Sequence, residues 1–382
     1  MSLQETTNKP IQFGVSKYKN IMGVTCYMNS ILHIIQQTPI FIQYISQVKF
    51  RDTLMQKVKD TEDPEATLKE YIIIELFRLF KVSLENDDVS ITPTSFREAI
   101  GKKNDMWTEN QQQDSQEFFN FLVSHLEEEV GTKCRFIPGN ELEQSSELNS
   151  QHSSYSFSNI AAMNSWIKFQ AKEYSPLKNL FNGMTENTRR CSCCGNLSNV
   201  FEPFVTLGLS IPIKSKLDMM RSFNIYECID NLVNEEELDT NNKLNCDMCG
   251  IKNKGFSKVQ LWQTPKILVL HLKRFLTNSY GIPTQKLNNM IDYPITNLDL
   301  SKYFDSASPH KESSKYDLFA INMHHAFGGG RSINYGHYTT IVKNMINNHW
   351  HHYNDSNTIE IATELKHIQS DKAYMLFYYR HD

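Results

Sequence analysis

The chain has 382 residues, enough for a large core or for two or three subdomains. Apolar residues make up 40% and charged residues 21%, and 39 basic against 43 acidic side chains leave a formal charge of -4. That balance excludes a disordered or fibrous chain and gives no general attraction to a polyanion, so nucleic acid is not expected as a partner. No apolar run approaches the roughly 18 residues of a membrane-spanning helix. The N-terminus, MSLQETTNKP, lacks the basic start and apolar core of a secretory signal. The expected location is cytoplasmic or nuclear, away from membranes. There the eight cysteines read as thiols or metal ligands rather than disulfides.

Residues 1–14 are polar and read as a loosely held leader. From Thr25 the pattern turns helical: Cys26, Met28, Ile31, Leu32, Ile34 and Ile35 recur at helical spacings, and Pro39 should end or bend the helix. A second helix is expected over Leu68–Phe80, where Leu68, Ile72, Leu76 and Phe80 form an i, i+4 stripe. A third is expected over Glu117–Val130, with Phe118, Phe121, Leu122 and Leu126 on one side. Residues 131–157, containing SSELNSQHSSYSFS, have the composition of a flexible surface insertion. Beyond residue 199 the signal is strand. Phe201, Phe204, Val205, Leu207, Leu209 and Ile211 approximate alternation, and Ile267–Leu270, Leu318–Met323, His337–Val342 and Tyr374–Tyr379 are rich in branched and aromatic residues. Helices first and strands afterwards argue an α+β fold rather than a βαβ repeat.

Cys191 and Cys194 are spaced C-x-x-C with Gly195 behind them, and Cys246 and Cys249 repeat the arrangement with Gly250. Two such knuckles aim four thiolates at one point and make a tetrahedral site for one structural zinc ion. With no ligand position left for water, the site is not catalytic. The alternative is four thiols without metal. Cys193 sits inside the first pair, where its spacing is poorer for chelation. Cys134 and Cys228 have no metal-spaced partner, and Cys228 reads as core.

Cys26 lies at the start of an apolar helix, where free backbone N–H groups and the helix dipole favour a thiolate. A cysteine there can equally be a small core hydrophobe. His337 opens a strand, and Asn354 and Asp355 follow that strand and a turn. Cysteine, histidine and a carboxamide or carboxylate make up the thiol-protease set of nucleophile, base and orienter.

Several boxes in order then resemble the ubiquitin-specific proteases, papain-like cysteine deubiquitinases. GVTCYMNSILHII (23–35) resembles their cysteine box and ENQQQDSQEFFNFLVSHL (109–126) their glutamine–aspartate helix. CSCCG and CDMCG, the latter followed by KVQLWQTPKILVLHLKRF (258–275), resemble their zinc ribbon. LFAINMHHAFGGGRSINYGHYTTIV (318–342), closed by WHHYNDSNTIEI and AYMLFYYR, resembles their histidine box. The resemblance covers residues 15–380.

It implies a papain-like fold of thumb (about 15–180), fingers (about 185–260) and palm (about 200–212 and 261–382). It also implies hydrolysis of the isopeptide or peptide bond after the C-terminal glycine of ubiquitin. Cys26 is then the nucleophile, His337 the base, Asn354 the third member and Asp355 its acidic neighbour. Asp114 matches an aspartate that pairs with ubiquitin arginines, while Glu117 and Phe118 support the helix and core. His271 is expected to be structural, and His324 and His325 to line the cleft. The expected partners are ubiquitin, ubiquitinated proteins and an activating protein, with structural zinc and no organic cofactor. A ubiquitin-binding scaffold with an impaired protease centre is the alternative.

One departure bears on activity. The family's oxyanion-hole asparagine stands five residues before the cysteine, where this chain has Ile21; Val24 also replaces an asparagine. Isoleucine offers no donor. Either Asn20, one residue earlier, fills the role, or backbone N–H groups such as that of Cys26 do.

Overall fold

The computed structural model describes residues 15–86, 89–132, 153–172, 174–238, 242–278, 280, 283–326, 336–344, 347–361 and 368–381. The leader 1–14, most of the Ser-rich stretch, Cys134 and the glycine-rich loop 328–331 lie outside them.

Helix α1 spans Cys26–Gln36, and every residue in it is buried. Thr38 is extended, and Pro39 occupies the first turn of the next helix, Pro39–Ile45, where its missing N–H costs nothing. The Leu68–Phe80 stripe divides. Leu68 ends a short helix, Pro64–Leu68, and helix α2 begins only at Ile72 and runs to Glu85. Tyr71 is extended at the junction and supplies no side-chain cap. The cap comes instead from a neighbouring helix, α3 (Ser115–Val130), whose Glu129 carboxylate accepts from Ile72 N at 2.7 Å and Ile73 N at 2.9 Å. Helix α3 starts before the expected Glu117, because the Asp114 carboxylate accepts from Gln116 N and Glu117 N at its first turn. Helix α4 (Ser153–Lys172) begins inside the Ser-rich stretch, so the last residues of 131–157 are helical.

The strands form two main sheets. Strands β1 (Gly183–Cys191), β2 (Leu197–Phe204) and β4 (Gly255–Gln263), with Glu236–Glu237, make a four-stranded sheet that carries the first cysteine knuckle, and the second lies on a separate hairpin of Leu244–Cys246 and Ile251–Asn253. The larger sheet runs, edge to edge, Asn357–Ile361, Trp350–Asn354, Gly336–Lys343, Lys315–Ala326, Ala373–Arg380, Ile267–Lys273 and Thr206–Ser210, with Leu298–Asp299 added beside Lys315–Ala326. Its members are β3 (Thr206–Ser210), β5 (Ile267–Lys273), β6 (Lys315–Ala326), β7 (Gly336–Lys343), β8 (Trp350–Asn354), β9 (Asn357–Ile361) and β10 (Ala373–Arg380). All its pairings are antiparallel except β3 with β5. The alternating run from Phe201 to Ile211 therefore belongs to two sheets, and the chain passes between them at Val205.

Both faces of the larger sheet are covered, which explains why its strands are continuously apolar. Val269, Phe319, Tyr338, Val342, Tyr353 and Phe377 face the helical third, against Leu122, Phe119 and Ile35. Alternate residues Leu268, Leu270, Leu376 and Tyr378 face the other way, onto Ile225, Ile229 and Tyr293. Cys228 lies in that second core, fully buried. No helix among the described residues is long and apolar enough to cross a membrane.

Candidate active site

The packing of α1 against the larger sheet sets Cys26 beside β7. Cys26 is the first residue of its helix and 1% exposed. Burial and the nearby Asp355 charge push its thiol up to about 11, against the pull of the Tyr338, Tyr27 and Cys26 backbone N–H groups. Among the described residues no hydrogen bond joins this thiol to the His337 ring.

His337 Nε2 lies 2.6 Å from Asn354 Oδ1. An amide oxygen only accepts, so Nε2 carries the proton and Nδ1 keeps a free lone pair. The Asp355 carboxylate stands 3.9 Å from the same nitrogen. Asp355 turns the chain from β8 into β9 with φ +52°, a left-handed conformation that costs a non-glycine residue about 1 kcal/mol. The turn is held from outside. Its carboxylate accepts from Asn20 Nδ2 at 3.0 Å and Asn29 Nδ2 at 2.9 Å, and its carbonyl from His33 Nε2 at 3.2 Å.

The loop before Cys26 folds back on itself. Thr25 N donates to Asn20 Oδ1 and Ile21 N donates to Thr25 Oγ1, each at 2.8 Å, closing a small ring. Within it Met22 (φ +53°) and Gly23 (φ +75°) are left-handed, and Met22 projects outward, 70% exposed. Asn20 is thus drawn towards the site although it lies one position too early. One N–H of its amide goes to Asp355, and a carboxamide has a second.

Asp114 lies under the histidine strand. Beyond its two cap bonds, its Oδ2 accepts from Tyr374 OH at 2.6 Å and Tyr338 OH at 3.3 Å. Its carboxylate therefore has structural work inside this chain. Gln112 Oε1 accepts from Gly336 N at 3.0 Å. A Cβ on Gly336 would lie 2.1 Å from His324 Nε2, so only glycine fits before His337. His271 is mostly buried against Tyr374, with its pKa pushed down to about 4 by desolvation. His324 departs from the cleft position expected for it: it is fully buried, 3.1 Å from Lys286 Nζ. His325 is half-buried, pairs across the strands with His337 and lies 2.9 Å from Thr339 Oγ1.

Far from this centre, Cys191, Cys194, Cys246 and Cys249 converge, with their sulfurs all within 4.8 Å of one another. Cys191 and Cys249 are 4.0 Å apart, Cys194 and Cys246 3.6 Å. These separations are close to the edge of a tetrahedron with about 2.3 Å metal–sulfur bonds, so the cluster can coordinate a metal ion. Gly195 (φ +72°) and Gly250 (φ +67°) make the left-handed turns behind the pairs, each N–H returning to the first cysteine's carbonyl. Cys193 is exposed and outside the cluster.

A buried thiol on a helix N-terminus, packed against the strand of a histidine whose far nitrogen is held by a carboxamide, supplies the residue types that a papain-like thiol centre needs. The family model described as Ubiquitin carboxyl-terminal hydrolase matches residues 18–378, and the chain belongs to that family. It is 29% identical over 375 residues to rat Ubiquitin carboxyl-terminal hydrolase 2, covering 98% of this chain and 55% of that one. It is 31% identical over 303 residues to the chicken protein of the same name, covering 79% and 77%. Against the Probable ubiquitin carboxyl-terminal hydrolase R319 of Acanthamoeba polyphaga mimivirus it is 26% identical, covering 99% and 94%. The chain thus spans about half the length of the rat relative. Its fold matches the SAGA Ubp8/Sgf11/Sus1/Sgf73 DUB module bound to ubiquitin aldehyde, with TM-score 0.66, 23% identity, and 99% and 72% coverage.

Asn29, His33 and Gln112 are the site residues that sequence reasoning passed over. Asn29 and His33 share a helix face with Cys26, the one signal that pointed to them.

Proposed function

We propose that this chain is a thiol-dependent deubiquitinase that hydrolyses the bond after the C-terminal glycine of ubiquitin. The observation that carries the reading is the 2.6 Å His337 Nε2–Asn354 Oδ1 bond, which leaves Nδ1 as the base for a thiol at the start of α1. Cys26 passes its proton to Nδ1, and its sulfur attacks the glycine carbonyl. The backbone N–H of Cys26 and the second amide N–H of Asn20 receive the developing oxyanion. His337 then protonates the leaving amine and deprotonates the water that hydrolyses the thioester. Asn354 keeps the imidazole in the productive tautomer throughout. Asp114, besides capping α3, presents negative charge to the arginines of ubiquitin. The four-cysteine cluster holds one structural zinc ion, which ties the two knuckles together and takes no part in the chemistry.

The test is mass spectrometry after incubation with ubiquitin bearing a C-terminal electrophile. The reading expects one adduct, lost in Cys26→Ala.

A second reading, a ubiquitin-binding scaffold, has one observation behind it. The Cys26 thiol is buried, its pKa is raised to about 11, and it makes no bond to His337. In the first reading, this resting thiol is activated when ubiquitin or an accessory protein brings sulfur and imidazole together. In the second it never is.

A further inference from the structure

Helix α1 carries more of the centre than its nucleophile. Cys26, Asn29 and His33 are spaced by three and four residues, so they lie along one stripe. The last two grip the same residue: Asn29 takes the Asp355 carboxylate at 2.9 Å and His33 its backbone carbonyl at 3.2 Å. We propose that His33 is a positioning residue of the catalytic centre, fixing the Asn354–Asp355 turn to the helix that bears Cys26. The inference rests on the deubiquitinase reading.

The bonding around the ring defines its state. A carbonyl only accepts, so Nε2 carries the proton. Nδ1, 2.6 Å from Ser16 Oγ, then accepts from that hydroxyl. Ser16 is itself buried, and its carbonyl accepts from Thr358 Oγ1 on β9 at 3.2 Å. The ring stacks on Tyr353 with centroids 4.4 Å apart and leans on Tyr18 at 4.8 Å. It is therefore clamped on both edges and both faces. Burial pushes its pKa down to about 3, so the Nε2–H donor persists unchanged across the working range. A lysine or arginine could also donate, but would bring a charge into a position that is almost completely buried.

The consequence lies one residue away. Asp355 holds a left-handed φ, and the direction of its carbonyl is set by His33. That carbonyl lies on the peptide joining Asp355 to Ser356, so its release loosens Asp355 at the Cα it shares with the Asn354–Asp355 peptide, and Asn354 Oδ1 is the group that orients His337. Loss of the His33 donor should therefore lower kcat and leave ubiquitin affinity alone.

His33→Phe keeps the ring volume and stacking but removes both nitrogens. His33→Gln restores an N–H near the Nε2 position. On a ubiquitin C-terminal fluorogenic substrate, His33→Phe should lose about 10- to 100-fold in kcat with little change in KM, and His33→Gln should recover most of it. Ser16→Ala, which frees only one edge of the ring, should lose a few-fold in kcat and decides the matter if His33→Phe does not fold. Alkylation of Cys26 by iodoacetamide should be near wild type in all three, with melting followed in parallel and lowered in His33→Phe by the stranded Ser16 hydroxyl and Asp355 carbonyl. An unchanged kcat in folded His33→Phe overturns the role. So does an equal loss in His33→Phe and His33→Gln that tracks melting alone, and so does an unchanged kcat in Ser16→Ala where His33→Phe is unfolded. A wild type that binds ubiquitin without turnover instead overturns the hydrolase reading.

Discussion

The side-chain amide of Asn20 donates to the Asp355 carboxylate over 3.0 Å, across 335 positions of sequence. That bond closes the loop before Cys26 onto the turn after β8. Between the two ends of that loop Met22 and Gly23 are left-handed, a fold-back that supports the proposal that Asn20, and not the residue at position 21, supplies the side-chain donor.

Asn20→Ala should accordingly lower kcat by roughly 100-fold with KM nearly constant, because the lost donor acts mainly on the transition state. Ile21→Asn should add no rate, since the position is already bypassed. Steady-state kinetics on the fluorogenic substrate check both, and a rate gain in Ile21→Asn would put the donor position at 21 instead of 20.

The buried Cys26 thiol, raised to about 11, should leave a particular pH profile. Only the thiolate reacts, so its alkylation by iodoacetamide should keep accelerating as pH rises past 9. A resting thiolate–imidazolium pair would give a plateau near neutrality instead.

Asn29 and His33 show where sequence reasoning stops. Cysteine, histidine and a carboxamide could be picked out because thiol chemistry needs those types. A histidine on an apolar helix face reads equally well as core, and only the tertiary position of Asp355 gives it a task. The knuckles were legible because chelation fixes local spacing. The division of Phe201–Ile211 between two sheets was not, since alternation is the same in either. The break after Leu68 was hidden for a related reason: the cap that starts α2 comes from Glu129, far along the chain.

Glu129 also makes stability depend on pH. Burial raises its carboxyl from 4.5 to about 7, despite two backbone N–H donors. The folded state therefore holds the proton more tightly, and this contribution to stability is lost as pH rises from about 4.5 through 7. At about 1.4 kcal/mol per pKa unit, Glu129→Gln should gain about 2–3 kcal/mol on wild type between pH 5 and pH 8. Urea unfolding at both pH values checks this, and a gap that widens the other way would contradict it.

For the cysteine cluster, metal analysis of purified protein should find one zinc per chain. Cys194→Ser or Cys249→Ser should lower both zinc content and melting temperature, because binding energy of a structural site is folding energy. Cys193→Ser, outside the cluster, should change neither.

Asp114→Ala should separate two contributions. Loss of the cap on α3 should cost about 1 kcal/mol, and the stranded Tyr338 and Tyr374 hydroxyls more. Asp114→Asn keeps much of the cap and removes the charge. It should therefore show the higher KM for ubiquitin substrates with a smaller loss of melting temperature. An unchanged KM in Asp114→Asn would leave the residue a structural role alone.

The most direct test of the central claim is the reaction of the protein with ubiquitin carrying a C-terminal electrophile, followed by intact mass and site mapping. A single ubiquitin adduct on Cys26, absent in Cys26→Ala and slowed in His337→Ala, is the predicted result. Ubiquitin binding with no adduct, under conditions where iodoacetamide reaches Cys26, would contradict it.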